Sequence, residues 1–345
     1  MTHLACVNAT VTRRERLSDH LVRVRVAGES LRQLPWGAQG PGPRADAYVK
    51  VLIPPTPGAT VDVDLSDMGR WRREYMATPP ERRGWMRTYT VRDAATVELA
   101  GTVVPELAID VVIHEDPELG MGPGATWGDT VREGDTAQLL VPGGEGTWWA
   151  AWDERRAAGQ DVVVAGDETA LPAVSAIVDG IEKGVRVNQD PATAYVPPRS
   201  VTVAVEVPET CDAVVPAGPR ALARAASSED GHTRRVTLEG GTELTWTWLP
   251  RGRRERNLEL ELWLWERLSE RARRYWHAGD PDVERWQDDT DFVWDTARSE
   301  GRGTYWFLAA ESAAVKSLRR MCVSGGVPKT DISFMGYWKQ GAATE

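Results

Sequence analysis

Cysteine is scarce in this sequence, with three residues among 345. Cys6, Cys211 and Cys322 are far apart, form no Cys-x-x-Cys pair and lie in no Cys/His cluster. Neither a disulfide framework nor a zinc or iron–sulfur site is therefore indicated. Isolated thiols in an odd number fit a reducing compartment, so we expect a cytoplasmic protein.

Long apolar runs are also missing, and the longest are far shorter than the ~20 residues that a membrane-spanning helix needs. The first residues, MTHLACVNATVTRRER, do not combine a basic start with an apolar core, so no signal peptide is expected. Positive charge is in deficit, because 41 Lys and Arg face 51 Asp and Glu, for a net charge of -10. Nucleic-acid binding needs a basic surface, so that function is disfavoured.

The chain is long enough for two domains, and 41% hydrophobic with 27% charged residues is ordinary for a globular protein. Its first part alternates polar and apolar residues at short spacing, which predicts about six antiparallel strands and a small β-barrel over residues 1–147. The strands are expected at residues 6–14, 21–26, 46–53, 87–92, 97–99, 107–114 and 136–141.

The stretch RTYTVR at residues 87–92 carries the most distinctive chemistry of this part. As a strand it places Thr88, Thr90 and Arg92 on one face and the other three residues on the opposite face. Two guanidinium groups and two hydroxyls can bind phosphates, and the Tyr89 ring offers an apolar face to a flavin ring. An edge strand with a solvated polar face is the alternative.

A glycine-rich segment, GMGPGATWG at residues 120–128, precedes the last strand of the predicted barrel. Glycines let the backbone approach a ligand closely, and a glycine-rich loop that opens a short helix can bind a pyrophosphate. An ordinary tight loop would have the same composition.

The pattern changes at residue 161, where DVVVA predicts a buried parallel strand. The turn at residues 166–170 follows, and apolar residues at 171, 174, 177, 178 and 181 then predict a helix. This order fits a nucleotide-binding turn at the carboxyl end of a parallel sheet, although a plain capped turn is the alternative. Further strands at 201–207, 234–238, 244–249 and 303–310 predict an α/β domain over residues 158–345.

Residues 251–290 are highly charged and are interpreted as an insertion with its own helix, although a short strand also fits residues 258–264. The insertion could be a dimer contact, a lid or, as we expect, a solvated excursion. After the strand at 303–310, Glu311 or Ser312 can cap the next helix.

Six motifs together resemble one known family. They are RTYTVR, His114 followed by GPGATWG, VVVAGDETALPA, VTVAVEV, YWFLAAESAAVKSLRR and GYWKQG. The set is similar to the siderophore-interacting proteins, flavin-dependent ferric-siderophore reductases distantly related to the ferredoxin–NADP⁺ reductases. The resemblance covers residues 6–341 except 251–290. It implies FAD in the barrel, NADPH or NADH as electron donor and a ferric siderophore as partner, whose Fe(III) is reduced and released as Fe(II).

The resemblance also assigns residues to these ligands. The FAD site would comprise Arg87, Tyr89, Thr90, Arg92, His114, Gly122, Pro123, Ala125, Thr126 and Trp127. The nicotinamide side would comprise Gly166, Asp167, Glu168, Thr169, Ala170, Ala310 and Glu311. The loop reads Gly-Pro-Gly-Ala-Thr where the family usually has Gly-Pro-Ala followed by Ala or Ser, so Thr126 is expected to supply the phosphate hydroxyl.

An acidic protein that receives an anionic chelate needs a local basic patch. The family match points to Lys339, with Lys329, Arg319 and Arg320 as further candidates, whereas a solvated C-terminal face is the plainer interpretation of the two arginines. No Ser/His or His/Asp catalytic set is found. Another flavin oxidoreductase on the same scaffold, such as a quinone reductase, and a non-catalytic siderophore-binding protein are the alternative functions. The sequence does not reveal the oligomeric state.

Overall fold

The computed structural model describes residues 3–34, 45–56, 58–116, 120–143, 149–184, 195–268, 294–298 and 303–339. These residues form two compact units, which divide between Ala150 and Ala151. No helix in the described part of the chain is both long enough and apolar enough to cross a membrane.

The first unit is a closed antiparallel barrel of six strands, in the order β1-β2-β5-β4-β3-β8, which confirms the predicted fold. The barrel strands are β1 (His3–Ser18), β2 (Leu21–Ala27), β3 (Tyr48–Ile53), β4 (Trp85–Leu99), β5 (Thr102–Val112) and β8 (Thr136–Gly143). Two short strands, β6 (Glu115–Asp116) and β7 (Gly120–Met121), form a separate pair. The barrel closes around alternating valines such as Val22, Val24 and Val26, which are fully buried. Valine favours β-strands, and valines at every second position point to the same face of a strand, so this pattern produces the barrel core.

Helices α1 (Met68–Ala77), α2 (Pro80–Arg83) and α3 (Pro123–Thr130) complete the first unit. The first two lie in the excursion between β3 and β4. Asp67 caps α1 by accepting the backbone N–H of Arg70 at 2.9 Å. Trp71 and Tyr75 of α1 are buried in a small cluster with Leu52. A 3₁₀ helix spans Glu29–Gln33.

The strand that carries RTYTVR is longer than predicted and irregular at one point. It runs without a break from Trp85 to Leu99, so the separate strand predicted at 97–99 is its continuation. Its pairing with β5 shifts between Val91 and Asp93, which makes Arg92 the extra residue of a β-bulge. The bulge lies at the last position of the predicted alternating stretch, and it changes the face to which the side chains after it point.

The second unit contains an eight-stranded sheet in the order β11-β12-β13-β10-β9-β15-β16-β14. Its strands are β9 (Asp161–Gly166), β10 (Ser200–Val207), β11 (Ala226–Ser227), β12 (Thr233–Thr237), β13 (Glu243–Pro250), β14 (Trp294–Asp295), β15 (Thr304–Glu311) and β16 (Ile332–Trp338). Five neighbouring strands are parallel to one another: β13, β10, β9, β15 and β16. The outer strands β12, β11 and β14 are antiparallel to the strands beside them. The predicted α/β fold with a parallel sheet is confirmed.

Helices α4 (Glu154–Ala157), α5 (Leu171–Glu182), α6 (Leu258–Arg267) and α7 (Ser312–Ser324) belong to this unit, as do 3₁₀ helices at Thr210–Asp212, Val215–Ala217, Arg220–Arg224 and Lys329–Asp331. Residues of α6 and α7 share a core cluster with Ala165 of β9. Val162 and Val164 alternate to the opposite face and are also buried, so the sheet is covered on both sides.

Helix α6 corrects the prediction of a solvated excursion at residues 251–290. Residues 258–267 are helical rather than extended, and Leu260, Trp263 and Leu264 are buried in the cluster that contains α7 and the sheet. Because this apolar face completes the core, α6 is part of the domain. Residues 269–290, the remainder of the predicted insertion, lie outside the described residues.

We predict that Leu264→Ala lowers the free energy of unfolding by about 2–5 kcal/mol, because the side chain is fully buried. Leu262 is 45% exposed on the same helix, and Leu262→Ala should lower it by less than about 0.5 kcal/mol. Denaturant unfolding of the two variants beside the wild type measures both changes. Equal small effects would mean that α6 does not contribute to the core.

Candidate functional site

The parallel strands of the second unit end at one edge of the sheet, which is where ligands bind in open α/β folds. The predicted turn at residues 166–170 joins the end of β9 to the start of α5. A Cβ atom at Gly166 would lie 2.7 Å from the carbonyl oxygen of Ala309 and 2.9 Å from Cβ of Ala170. Glycine is required here because neighbouring backbone and the returning turn leave no room for a side chain.

The carboxylate of Asp167 joins three strand ends. It is fully buried, and its Oδ1 accepts the backbone N–H and the hydroxyl of Thr169. Its Oδ2 accepts the backbone N–H of Glu311 at 2.9 Å and the indole N–H of Trp338 at 3.2 Å. The ends of β9, β15 and β16 are therefore tied together by one side chain.

The next residue, Glu168, is also buried and is held by two arginines. Arg251 donates to its two carboxylate oxygens at 2.9 and 3.0 Å, and Arg256 donates to Oε1 at 3.0 Å. Arg251 also lies 3.5 Å from Oε1 of Glu206, at the end of β10. Two guanidinium groups thus compensate the carboxylates that are buried at this edge.

Glu206 caps helix α6 from a neighbouring strand. Asn257, the residue before α6, has a positive φ of 69° and provides no side-chain cap. Glu206 accepts the backbone N–H groups of Asn257 at 2.7 Å and Glu259 at 3.1 Å instead. This satisfies donors that a helix N-terminus otherwise leaves without partners.

Burial dominates the protonation of the two innermost carboxyl groups. It raises the pKa of Glu206 to about 7, against the opposing effects of the Asn257 N–H and the Arg251 charge. It also raises the pKa of Asp167 to about 6, and the neighbouring charge of Glu168 acts in the same direction. Desolvation disfavours a carboxylate even where hydrogen bonds stabilise it.

The helices differ in whether a protein carboxylate occupies the N-terminus. Among the described helices of eight residues or more, α1 is capped by Asp67, α6 by Glu206 and α7 by Glu311, which accepts the N–H groups of Ala313 and Ala314. Helix α3 begins after Gly122 and helix α5 after Ala170, and neither receives a side-chain cap. Because a helix N-terminus attracts anions, these two ends can accept a ligand phosphate.

The structure brings the first two predicted motifs together in the barrel unit. A Cβ atom on Gly124, in the first turn of α3, would collide with the hydroxyl of Tyr89 and lie 3.5 Å from Cγ of Arg87. The Tyr89 ring packs against the barrel core and lies 6.1 Å from the ring of Trp127, between centroids. Burial raises the pKa of Tyr89 above its ordinary value. Strand β4 and the start of α3 thus form one continuous surface.

The remaining residues predicted for the barrel site differ in exposure. Thr90 and Arg92 are buried, the latter at the bulge in β4. His114 is exposed and lies two residues beyond the end of β5, so the strand predicted through it was too long. The Thr126 side chain is exposed in the first turn of α3, whereas Ala125 is buried.

The predicted residues of the second unit have mainly internal contacts. The side chains of Asp167, Glu168 and Glu311 are buried and bonded to protein groups, as described above, and Ala170 and Ala310 are fully buried. Glu311 caps α7, in agreement with the capping role considered from the sequence. These residues shape the edge of the sheet, while the N-terminus of α5 stays free of a carboxylate cap.

The predicted basic residues near the C-terminus fall into two groups. Lys329 and Lys339 are exposed, and Lys339 directly follows the anchored Trp338. Arg319 and Arg320 are partly buried on α7, and the guanidinium of Arg319 lies 4.8 Å from the ring centroid of Phe334. Arg319 thus has a packing role, and burial lowers its pKa.

Sequence reasoning missed four residues of the network at the sheet edge: Glu206, Arg251, Arg256 and Trp338. Glu206 could have been found, because a lone carboxylate in the apolar strand VTVAVEV needs a buried partner. The two arginines were assigned to a solvated insertion, and their partners lie far away in sequence, since Arg251 and Glu168 are 83 positions apart.

Comparisons with known proteins agree with this architecture. The family model described as a siderophore-interacting FAD-binding domain matches residues 10–146, and the model described as siderophore-interacting protein matches residues 212–341. The second match runs through residues 251–290, in accord with the integration of α6 into the domain.

Individual relatives are more distant. An uncharacterised protein of Mycobacterium tuberculosis is 29% identical over 172 residues, 48% of this chain and 50% of that protein. The ferric vibriobactin reductase ViuB of Vibrio cholerae is 27% identical over 169 residues, 48% of this chain and 51% of that protein. The chain thus matches about half the length of these curated relatives. A siderophore utilization protein from T. fusca has the same fold, with a TM-score of 0.53, 21% identity and coverage of 100% of this chain and 97% of that chain.

The network around Glu206 predicts a pH-dependent stability. Its folded-state pKa of about 7 lies above the ordinary 4.5, so its contribution is complete below about pH 4.5 and is lost as the pH rises through 7. The unfolding free energy of the wild type minus that of Glu206→Gln should therefore decrease as the pH rises from about 4.5 to about 7. Denaturant unfolding of both proteins across this range measures the difference. A difference that stays constant with pH would show that Glu206 is not perturbed in this way.

Proposed function

The chain belongs to the siderophore-interacting protein family, and from this premise we propose that it is a FAD-dependent reductase of ferric siderophores that takes its electrons from NADPH or NADH. The observation that carries the proposal is the position of the two uncapped helices. Helix α3 begins in the loop predicted for FAD, and helix α5 begins in the turn predicted for the nicotinamide nucleotide. Each unit therefore offers an N-terminus to a phosphate group.

The barrel residues fit the chemistry of FAD. Arg87 provides a guanidinium for the pyrophosphate, and the close approach of Gly124 to Tyr89 brings the backbone N–H groups of α3 beside the same strand. The full set proposed to hold FAD is Arg87, Tyr89, Thr90, Arg92, His114, Gly122, Pro123, Ala125, Thr126 and Trp127. Exposed Thr126 can add a hydroxyl donor from the first turn of α3, whereas the side chains of Thr90 and Arg92 are buried in and beside the bulge of β4.

The second unit would bind the electron donor at the N-terminus of α5. Residues 166–170 would meet its phosphates with backbone groups, and Thr169 stands in the turn itself. Asp167, Glu168 and Glu311 would hold the edge of the sheet in shape rather than contact the electron donor, because their carboxylates are buried and bonded to protein donors. The arginines neutralise Glu168, which reduces the repulsion that an incoming phosphate would otherwise meet.

FAD, when bound, supplies the conversion that this reaction needs, because a nicotinamide gives two electrons at once whereas Fe(III) accepts one. The chain's own residues orient the reactants and provide the local charge. Exposed Lys339 would attract an anionic ferric siderophore, with exposed Lys329 as a second cation. The ferric vibriobactin reductase among the relatives supports this class of substrate.

We predict that the purified protein binds FAD and that Arg87→Ala weakens this binding by about 10- to 100-fold, through the loss of charge-assisted hydrogen bonds to phosphate. Arg82→Ala is the matched control, because Arg82 is exposed in the nearby helix α2. Flavin absorbance after equilibrium dialysis against FAD gives the dissociation constants. A wild-type protein that binds no FAD would support a non-catalytic siderophore-binding function instead.

We predict that Lys339→Gln raises the KM for an anionic ferric siderophore by roughly 2- to 5-fold, the effect of one exposed charge. Reduction of the bound flavin by NADPH or NADH should keep its wild-type rate. Lys183→Gln, at the exposed carboxyl end of α5, is the control and should change neither value. A quinone reduced faster than every ferric siderophore would favour a general flavin reductase.

A further inference from the structure

Arg256 has an unusual position at the edge of the parallel sheet. Its Nη1 lies 3.0 Å from Oε1 of Glu168, which is three residues before the first position of α5. Its guanidinium carbon lies 4.6 Å from the ring centroid of Trp338. One part of the group is thus fixed by a carboxylate and its plane is supported by an indole ring.

The guanidinium of Arg256 retains donors for a further acceptor. The group has five N–H donors. In the part of the chain that the structure describes, Glu168 is the acceptor found for it, through Nη1. The side chain is 29% exposed, compared with 11% for Arg251. A ligand at this edge could therefore reach the remaining N–H groups.

Glu168 does not need Arg256 to be satisfied. Arg251 already donates to both of its carboxylate oxygens, and Arg251 is the more deeply buried arginine of the two. The backbone next to Arg256 is also fixed, because the N–H of the following residue, Asn257, donates to the carboxylate of Glu206. The chain therefore fixes a second, partly exposed guanidinium beside the start of α5, although Arg251 alone already bonds both carboxylate oxygens of Glu168.

We propose that Arg256 is a phosphate-binding residue for the nicotinamide dinucleotide. This inference rests on the proposed function and adds a residue to it that neither the sequence motifs nor the comparisons assign. An arginine that is oriented by two protein groups binds a phosphate with little further loss of freedom, and its planar fork suits two phosphate oxygens. The phosphate would be the pyrophosphate shared by NADH and NADPH or the 2′-phosphate of NADPH.

The test uses three reductants on the FAD-loaded protein. Reduced nicotinamide riboside carries no phosphate, NADH carries the pyrophosphate and NADPH carries the additional 2′-phosphate. Anaerobic stopped-flow reduction of the flavin gives the apparent Kd and limiting rate for each. The proteins compared are the wild type, Arg256→Met, Arg256→Lys and Arg254→Met. Arg254 is the matched control, because it is exposed on the same loop and paired with Glu259.

We expect Arg256→Met to raise the Kd for at least one dinucleotide by about 10-fold or more, the effect of a lost charge-assisted hydrogen bond. The Kd for reduced nicotinamide riboside should stay at the wild-type value, and Arg254→Met should resemble the wild type throughout. Arg256→Lys should recover part of the affinity, because it keeps the charge but not the fork. A higher Kd for NADPH alone would identify the 2′-phosphate as the group that Arg256 binds. Equal increases in the Kd for NADH and for NADPH would identify the pyrophosphate.

Other results would overturn the inference. Unchanged dinucleotide Kd values in Arg256→Met would remove Arg256 from the site and leave the proposed function intact. An equal loss with reduced nicotinamide riboside, or in Arg254→Met, would indicate a structural or general electrostatic effect. A wild-type protein whose flavin neither dinucleotide reduces would refute the proposed electron donor together with this role. Thermal unfolding and FAD content identify a misfolded variant, in which case Arg256→Lys, which keeps the pair with Glu168, decides the question by the same comparison.

Discussion

The buried carboxylate of Asp167 is the constraint on which the edge of the second unit depends. Removing an ionised carboxyl group from water is costly, and here backbone, hydroxyl and indole donors offset that cost. These donors come from the turn that follows β9 and from the ends of β15 and β16, so the bonds can form together only when the three strands keep their observed register. The pKa of about 6 shows that burial outweighs the donors. The edge of the sheet is thus fixed by a hydrogen-bond network that is centred on Asp167 and forms as a unit.

The same electrostatic logic distinguishes the helix ends of the molecule. Where the chain supplies its own carboxylate to a helix N-terminus, as Glu206 does for α6 and Glu311 does for α7, that end cannot hold a foreign anion. Helices α3 and α5 lack such a group, and each follows a glycine-containing turn. The positions available to phosphates are therefore decided as much by the carboxylates that fill other helix ends as by the turns themselves.

Much of this arrangement could be predicted from the sequence, because local periodicity determines it. Alternating valines predicted the barrel, and apolar residues from 171 to 181 predicted α5 together with its buried face. The bulge at Arg92 could not be predicted, since it depends on the register of β4 against β5 rather than on β4 alone. The bond of Arg251 to Glu168 joins residues 83 positions apart, and nothing local indicates it. The charged rim of α6 suggested solvent exposure, whereas the leucines and tryptophans between those charges complete the core.

In the proposed function, electrons pass from a nicotinamide to siderophore-bound iron through FAD. Sequential anaerobic mixing of the FAD-loaded protein, first with NADPH or NADH and then with a ferric siderophore beside an Fe(II) trap, tests it most directly. The flavin absorbance should be lost in the first step. In the second step the absorbance should return, with Fe(II) formed in proportion. Flavin that stays oxidised in the first step, or that stays reduced when the ferric siderophore is added, would contradict it.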